Sequence, residues 1–315
     1  MTVVPPAAGE PRRPDGPRNP GDAWVVAPSG EKYWGRFGAA GLLAVDPERG
    51  ILLQHRVAWS HFGGTWGLPG GAMHEAETAI VGAVREAQEE AGVPDASVRP
   101  RFTSVLDLGI WSYTTVIADV IVPFEPVISD PESVALEWVP IDEVESRPLH
   151  PGFGRAWPEL RKLLPVRPAL VVDAANVVGS VPDGWWKDRA GAATRLATRL
   201  DGLALDAADL EIGGTEWFPE IALVVEGQAR GIEAPRAEDR GDELLPAGVV
   251  SVVDAAAAGD DAIVAEVEHR VRAGQTVIAV TSDRELQARV AAAGAAQTRS
   301  AGWLRGLLDA DGGAA

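Results

Sequence analysis

The 315-residue sequence contains no cysteine. Disulfide bonds, thiolate zinc sites and a cysteine nucleophile are therefore excluded, and the composition fits a reducing compartment such as the cytoplasm. No run of about 18 apolar residues occurs, so no membrane-spanning helix is expected. The first residues also lack the apolar core of a secretory signal peptide.

Positive charge is scarce: 28 Lys and Arg stand against 46 Asp and Glu, which gives a formal net charge of −18. Bulk attraction to phosphate backbones is therefore absent, and strong nonspecific binding to duplex nucleic acid is not expected. A local basic patch or a metal bridge would still allow nucleic acid to bind.

A change of rhythm near "LLPVRP" predicts two α/β domains. Before it lie a hairpin around "DPERG", a Gly-rich loop, a helix from about Glu75 to Ala91, three further strands and two short helices. After it, short apolar strands alternate with helices, which is typical of a parallel sheet. A fragment ending near Leu164 is expected to fold alone. The expected division is a disordered Pro-rich tail at 1–30, domains at 31–165 and 166–308, and a tail at 309–315.

The first helix carries three clustered acids, Glu86, Glu89 and Glu90, where like charges repel one another. A solvated acidic face is the common explanation for such a cluster, and a bound cation is the alternative. Helical spacing places the acids roughly 120° from the apolar residues. These apolar residues are Ile80, Ala83, Val84, Ala87 and Ala91.

The stretch "GGAMHEAETAIVGAVREAQEEAGV" resembles the Nudix box at every position that defines that motif. Only the aliphatic position, Ala87, is smaller than the family's usual residue. The resemblance covers about residues 30–165 and implies an α/β/α sandwich with a mixed sheet. The matching positions are Gly71, Glu77, Arg85, Glu86, Ala87, Glu89, Glu90, Gly92 and Val93.

The resemblance implies Mg²⁺- or Mn²⁺-dependent hydrolysis of a nucleoside diphosphate derivative. Hard cations take oxygen ligands, usually one or two carboxylates together with substrate phosphate. The family pattern assigns metal binding to Glu86, Glu89, Glu90 and the Gly70 carbonyl. It assigns catalysis to Glu86 and Glu89, and a structural role to Glu77, Arg85 and Gly92.

Substrate contacts are expected outside the helix. The paired Gly70 and Gly71 would let the backbone approach a diphosphate, where a Cβ would intrude. Glu132 is the first candidate for a further catalytic carboxylate, as ligand or base, and Glu137 the second. Trp111 and Tyr113 either stack on a base or are ordinary strand residues with one face in the core.

The short domain is most similar to nucleoside-triphosphate pyrophosphohydrolases, including those that remove oxidised nucleotides. The downstream array associated with NADH-hydrolysing members is absent from this sequence. The identity of the nucleotide stays open.

In the second half, "VVDAANVVG", "VVEG", "GDDAIVAEV" and "VTSDREL" together resemble the NYN branch of PIN-like nucleases. The carboxyl ends of parallel strands converge on one crevice. Three departures are Glu226 at a usual Asp position, Ala174-Ala175 at a usual Gly-aromatic pair, and Asp254 as an alternative inward acid. The resemblance implies a Mg²⁺ or Mn²⁺ site acting on RNA at Asp173, Asn176, Asp260, Asp261 and Asp283.

Basic residues on a helix of this half allow two interpretations. Side chains spaced along one face either touch phosphate or form a solvated surface. They are Arg189, Arg195 and Arg199.

Three functions follow. The first is a pyrophosphohydrolase with an accessory nuclease, and the second is a nucleotide sensor that controls RNA cleavage. The third is a nonenzymatic nucleotide-binding protein, against which the complete acidic set of the box weighs. The sequence does not separate the first two.

Overall fold

The computed structural model divides the chain into two units. The first comprises Met1–Leu164 and Asp206–Glu216, and the second comprises Pro165–Leu205 and Trp217–Ala315. The boundary expected near 165 recurs, but segment 206–216 lies in the first unit and not in the second domain. The described residues are 1–6, 21–182, 184–235 and 248–311.

The first unit contains a small antiparallel sheet and a larger mixed sheet. The small sheet consists of β1 Thr2–Val4, β2 Trp24–Val26 and β3 Lys32–Trp34. The larger one consists of β4 Ala39–Asp46, β5 Gly50–Arg56, β6 Trp66–Gly67, β7 Gly70–Ala72, β8 Val98–Asp107, β9 Ser112–Val120, β10 Ser133–Val139, β12 Leu205–Asp206 and β13 Glu216–Trp217.

The mixed sheet has the order β10-β5-β4-β9-β8-β13-β12, with β6 on β5 and β7 on β4. Strand β4 runs parallel to β9 and antiparallel to β5, so the predicted hairpin and mixed sheet are confirmed. All eight residues of β4 are buried, as its near-continuous apolar sequence predicts for a central strand.

The acidic helix α1 spans Ala79–Ala91 and starts later than expected. Ala76 has a left-handed φ of 62°, which interrupts the helix, and the Thr78 side chain caps it by accepting a hydrogen bond from the Val81 amide. Gly92, in the left-handed conformation, ends the helix as predicted. The other helices of this unit are α2 Pro151–Leu163 and α5 Ala207–Leu210.

The expected disordered tail at 1–30 is wrong at both ends of that range. Strand β1 pairs with β2, and Val25 is fully buried. The prediction was wrong because the Pro- and Gly-rich middle of this range dominates its composition. Short segments that contain valine lie on either side of it, and valine favours strands. Residues 7–20 lie outside the described part of the chain.

The second unit is built on five parallel strands in the order β15-β14-β11-β16-β17, which confirms the predicted parallel sheet. Its last helix continues to Asp311, so a tail beginning at 309 is wrong. The strands are β11 Pro168–Asp173, β14 Glu220–Val225, β15 Val249–Asp254, β16 Thr276–Val280 and β17 Gln297–Arg299. The helices are α3 Ala174–Gly179, α4 Arg189–Leu200, α6 Gly259–Arg272, α7 Arg284–Ala292 and α8 Ala301–Asp311.

Across the described ranges of both units, helices are all too short or too polar to cross a lipid bilayer.

Segment 206–216 forms the β8 edge of the mixed sheet. The Thr215 amide donates to the Thr103 carbonyl, and the Thr215 hydroxyl accepts from the Val105 amide, at 2.8 and 3.0 Å. A chain cut at Leu164 would leave these backbone groups of β8 without their partners, and unpaired edge strands favour aggregation.

We expect Thr215→Pro to destabilise the first unit by about 2–3 kcal/mol, because it removes the N–H donor and the hydroxyl together. Hydrogen exchange in the full chain would show faster exchange at the Val105 amide. Thr215→Ser keeps both groups and serves as the control. Equal protection of that amide in the proline variant would contradict the role given to this segment.

Candidate active site

The loop before α1 packs its glycines directly against the acidic helix and β4. A Cβ on Gly71 would lie 2.6 Å from the Cδ and Oε2 atoms of Glu86. A Cβ on Gly70 would lie 2.5 Å from the Ala40 carbonyl oxygen. Gly70 is therefore required by the close approach of the loop to β4, whereas a Cβ on Gly71 would displace the carboxylate of Glu86.

Two of the three clustered acids are buried, so the solvated-face interpretation of the cluster is excluded. Glu86 is 2% exposed and Glu90 is 7% exposed. The Glu90 Oε2 atom accepts a hydrogen bond of 2.9 Å from the Gly70 amide. Burial, together with the charge of Glu86, raises the pKa of Glu90 to about 8.

Tyr113 also faces this pair of carboxylates. Burial raises the pKa of its hydroxyl, and the charges of Glu90 and Glu86 raise it further. A Cβ on Gly41 would lie 2.1 Å from that hydroxyl, so the glycine in β4 makes room for the ring. The Tyr113 hydroxyl therefore lies within electrostatic reach of Glu86 and Glu90, and a base-stacking role for Tyr113 stays a prediction.

Arg85 ties the loop to the helix, as the family pattern implies. Its Nε and Nη2 atoms donate to both oxygens of Glu77, at 2.8 and 3.0 Å, and Nη2 also reaches the Ala72 carbonyl. Nη1 donates to Glu86 at 2.9 Å. Burial alone would raise the pKa of Glu77, but hydrogen bonds from Arg85 and the His74 amide outweigh it and lower that pKa.

The donor set fits a hard divalent cation. Glu86 and Glu90 bring two buried carboxylates one turn apart, the exposed Glu89 offers a third, and all donors are oxygen. Burial and the charges of Glu86 and Glu132 raise the pKa of Glu90, and the charge of Arg56 only partly offsets them. Within the described residues, however, no three acids or histidines already form a metal-binding group. In this arrangement Glu86 accepts a hydrogen bond from Arg85, and Glu90 accepts one from the Gly70 amide.

The two candidates for an additional carboxylate lie in different surroundings. Glu132 is mostly buried, its Oε2 atom lies 3.5 Å from Arg56 Nη2, and its charge raises the pKa of Glu90. Glu137 instead forms a surface ion pair of 2.9 Å with Arg147. Glu132 thus lies within electrostatic reach of the helix acids. Arg56, which sequence reasoning missed, neutralises part of this charge.

Trp111 is already engaged within the protein. Its indole N–H donates to the Trp34 carbonyl at 2.9 Å, and its ring stacks on Tyr33 with centroids 4.9 Å apart. One face of the indole is therefore covered. Its base-stacking role stays a prediction.

His150 caps helix α2 and lies within electrostatic reach of Arg56. The His150 Nδ1 atom accepts a hydrogen bond of 3.1 Å from the Gly152 amide. Burial, together with the charge of Arg56, lowers the pKa of His150 to about 4. The imidazole is therefore neutral at physiological pH, which the cap requires because a protonated nitrogen cannot accept.

The free energy of unfolding should fall as the pH drops below about 6.5. In the unfolded chain the His150 imidazole binds a proton near that pH, whereas in the folded chain its pKa is about 4. We expect a contribution of about 1 kcal/mol between pH 7 and pH 5, a value reduced for partial exposure. Urea unfolding at both pH values measures it. His150→Asn retains a capping side chain without titration and should lose this part of the pH dependence. An unchanged dependence in that variant would contradict the assignment.

In the second unit, Asp173 ends β11 and is 9% exposed. It accepts hydrogen bonds from the Asn176 amide at 3.0 Å and the Thr281 hydroxyl at 2.9 Å. Burial raises the pKa of Asp173, and the charges of Asp260 and Glu226 add to that effect. These acids therefore lie near one another at the carboxyl edge of the sheet. Fully buried Thr281 was not singled out by the sequence analysis, although it directly follows β16.

The remaining acids predicted for this cluster have other partners. Asp283 caps α7 by accepting from two amides of its first turn, and Arg289 pairs with both Asp260 and Asp261. Glu226 accepts from the Gly259 amide at 2.9 Å and thereby caps α6, which explains the longer side chain at this position. The motif Asp-Arg-Glu-Leu at 283–286 is a readable helix-capping signal.

Comparison with known proteins finds a match between residues 35–161 and the NUDIX domain family model. A Mycobacterium tuberculosis protein named putative 8-oxo-dGTP diphosphatase 3 is 47% identical over 171 residues, covering 51% of this chain and 76% of that protein. A Bifidobacterium longum nucleoside triphosphate pyrophosphatase/Nudix hydrolase fusion protein is 43% identical over 152 residues, covering 44% and 30%. The Nudix hydrolase RenU of M. smegmatis is 47% identical, with a TM-score of 0.42, covering 45% of this chain and 94% of that one.

Proposed function

The chain belongs to the Nudix hydrolase family, and from this premise we propose that its first unit is a Mg²⁺- or Mn²⁺-dependent nucleoside-triphosphate pyrophosphohydrolase. It is an enzyme that acts on nucleoside diphosphate-linked substrates. An oxidised purine nucleotide such as 8-oxo-dGTP is the first substrate to test, because the relative that is 47% identical carries that name. The observation that carries the proposal is the buried pair Glu86 and Glu90 beside the loop Gly70-Gly71.

The chain's own residues would hold and orient the reactants. Glu86, Glu89, Glu90 and the Gly70 carbonyl would hold the metal, which when bound neutralises phosphate charge and lowers the pKa of water. Arg85 fixes the position of Glu86, and Glu77 fixes that of Arg85. Glu132 would receive a proton from the attacking water, and its ion pair with Arg56, at 3.5 Å, supports this role by stabilising the charged carboxylate.

The test is a Mg²⁺-dependent assay of the purified full chain on 8-oxo-dGTP, dGTP and other nucleoside diphosphate derivatives. We expect a nucleoside monophosphate and pyrophosphate as products from the triphosphates. Hydrolysis of none of these compounds would contradict the proposal. Tight nucleotide binding without turnover would favour the nonenzymatic binding protein.

A second candidate function is a metal-dependent ribonuclease of NYN/PIN type in the second unit. It is supported by Asp173, buried at the carboxyl end of a parallel strand and held by Thr281 near Asp260 and Glu226. The family match ends at residue 161, so this candidate depends on the site alone.

The full chain is the material for its test, because segment 206–216 belongs to the first unit. We expect cleavage of single-stranded RNA with Mn²⁺ and its loss in Asp173→Asn. A change in cleavage rate on adding a nucleotide would favour the sensor hypothesis. Absence of both cleavage and metal binding would leave the second unit without a nuclease role.

A further inference from the structure

The loop at 57–65, between β5 and β6, presents an aromatic ring on a constrained backbone. Phe62 has a φ of 55°, a left-handed conformation that bulky residues rarely adopt, and the residue is 45% exposed. Burial in a core therefore does not account for a phenylalanine here. A smaller residue such as asparagine would adopt this backbone more readily.

The loop is held in one shape by its own contacts. The Phe62 carbonyl accepts a 2.6 Å hydrogen bond from the Thr65 hydroxyl, and the Gly63 amide donates to the Ser60 carbonyl. A Cβ on Gly63 would lie 2.4 Å from the carbonyl oxygens of Val57 and Ala58. The left-handed backbone at Phe62 is thus fixed by surrounding structure, as expected where a strained conformation serves a function.

The guanidinium of Arg56 contacts both the loop that carries Phe62 and a carboxylate proposed to take part in catalysis. Arg56 Nε lies 3.3 Å from the carbonyl oxygen of His61, the residue before Phe62, and Arg56 Nη2 lies 3.5 Å from Glu132. The charge of Glu132 in turn acts on Glu90. The loop that carries Phe62 and the proposed catalytic carboxylate Glu132 therefore share Arg56 as a neighbour.

Two imidazole rings lie next to the ring of Phe62. His61 and His150 lie with ring centroids 4.2 and 4.8 Å from that of Phe62, tilted and edge-on. Burial lowers the pKa of both histidines, which favours their neutral forms. The rings of this face suit contact with a flat aromatic group, and Arg56 lies next to it.

We propose that Phe62 is the platform on which the base of a nucleotide substrate stacks. The inference rests on the proposed pyrophosphohydrolase function, because a nucleoside triphosphate carries an aromatic base at one end of its phosphate chain. Stacking of a base on an aromatic side chain tolerates every base, so Phe62 sets affinity for nucleotides over phosphates alone.

The test is calorimetry on the full chain with Mg²⁺, using a non-hydrolysable purine nucleoside triphosphate analogue and inorganic tripolyphosphate as probes. The wild type should bind the nucleotide at least about tenfold more tightly than tripolyphosphate. Phe62→Asn, whose side chain suits the left-handed backbone, should weaken nucleotide binding by about tenfold and leave tripolyphosphate binding unchanged. Phe62→Tyr should keep wild-type affinity, as should Trp186→Ala, which removes an exposed aromatic of the second unit.

Unchanged nucleotide affinity in Phe62→Asn would overturn the inference, as would a wild type without preference for the nucleotide. An equal loss for both probes would also overturn it, since the residue would then act through the fold. Ring-dependent binding in a chain that hydrolyses no nucleotide would uphold Phe62 and contradict the proposed function, so the two failures are distinguishable.

Discussion

Glu90→Gln is expected to lower kcat for diphosphate hydrolysis by about 10²–10³-fold while leaving the first unit folded. Removing a charge that helps to bind the metal removes transition-state stabilisation of about that size. The amide oxygen of glutamine still accepts the hydrogen bond from the Gly70 amide. The repulsion from Glu86 disappears, so the thermal midpoint without metal should stay the same or rise.

The opposite directions of these two effects make the experiment specific. Initial rates at saturating Mg²⁺ and thermal unfolding in metal-free buffer are the two measurements. Glu159→Gln makes the same chemical change at an exposed pair with Lys162 and should alter neither. Near-normal turnover in Glu90→Gln, or a loss of activity that follows a loss of stability, would contradict the metal assignment.

The acidic helix was predictable because both its apolar residues and its polar residues follow a regular spacing. Four of the five predicted apolar positions, Ala83, Val84, Ala87 and Ala91, are buried, Ile80 is partly buried, and Gly92 ends the helix. The burial of Glu86 and Glu90 follows only from the resemblance, since helical periodicity alone favours a solvated face. The apolar spacing predicts the helix, and the spacing of its polar residues indicates the chemistry that we propose for it.

Features that depend on contacts between residues far apart in the chain were not predicted from the sequence. Segment 206–216 joins β8 through Thr215, more than a hundred residues along the chain from its partner, and no local pattern records that pairing. The ring of Phe62 is likewise placed by tertiary contacts, because a left-handed phenylalanine is contrary to local preference. In the second unit, the sequence indicated the acids at the strand ends. Which of them cap a helix and which pair with Arg289 depends on three-dimensional packing and was not predicted.

Arg85→Met is expected to destabilise the first unit by about 3–5 kcal/mol, the usual cost of removing one partner from a buried ion pair. Glu77 and Glu86 have side chains only 7% and 2% exposed, and both would lose their cation. The Ala72 carbonyl would also lose a donor. Hydrogen exchange of the α1 amides along a urea titration measures the first unit separately from the second.

Two further variants separate charge from packing. In Arg85→Met with Glu77→Gln, one of the stranded charges is gone, so part of the lost free energy of unfolding should return. Arg161→Met breaks the exposed, 3.9 Å pair with Glu145 and should cost no more than about 1 kcal/mol. If Arg85→Met cost as little as Arg161→Met, the contacts of Arg85 would not hold the loop to the helix. The position of Glu86 in the candidate metal site would then need another explanation.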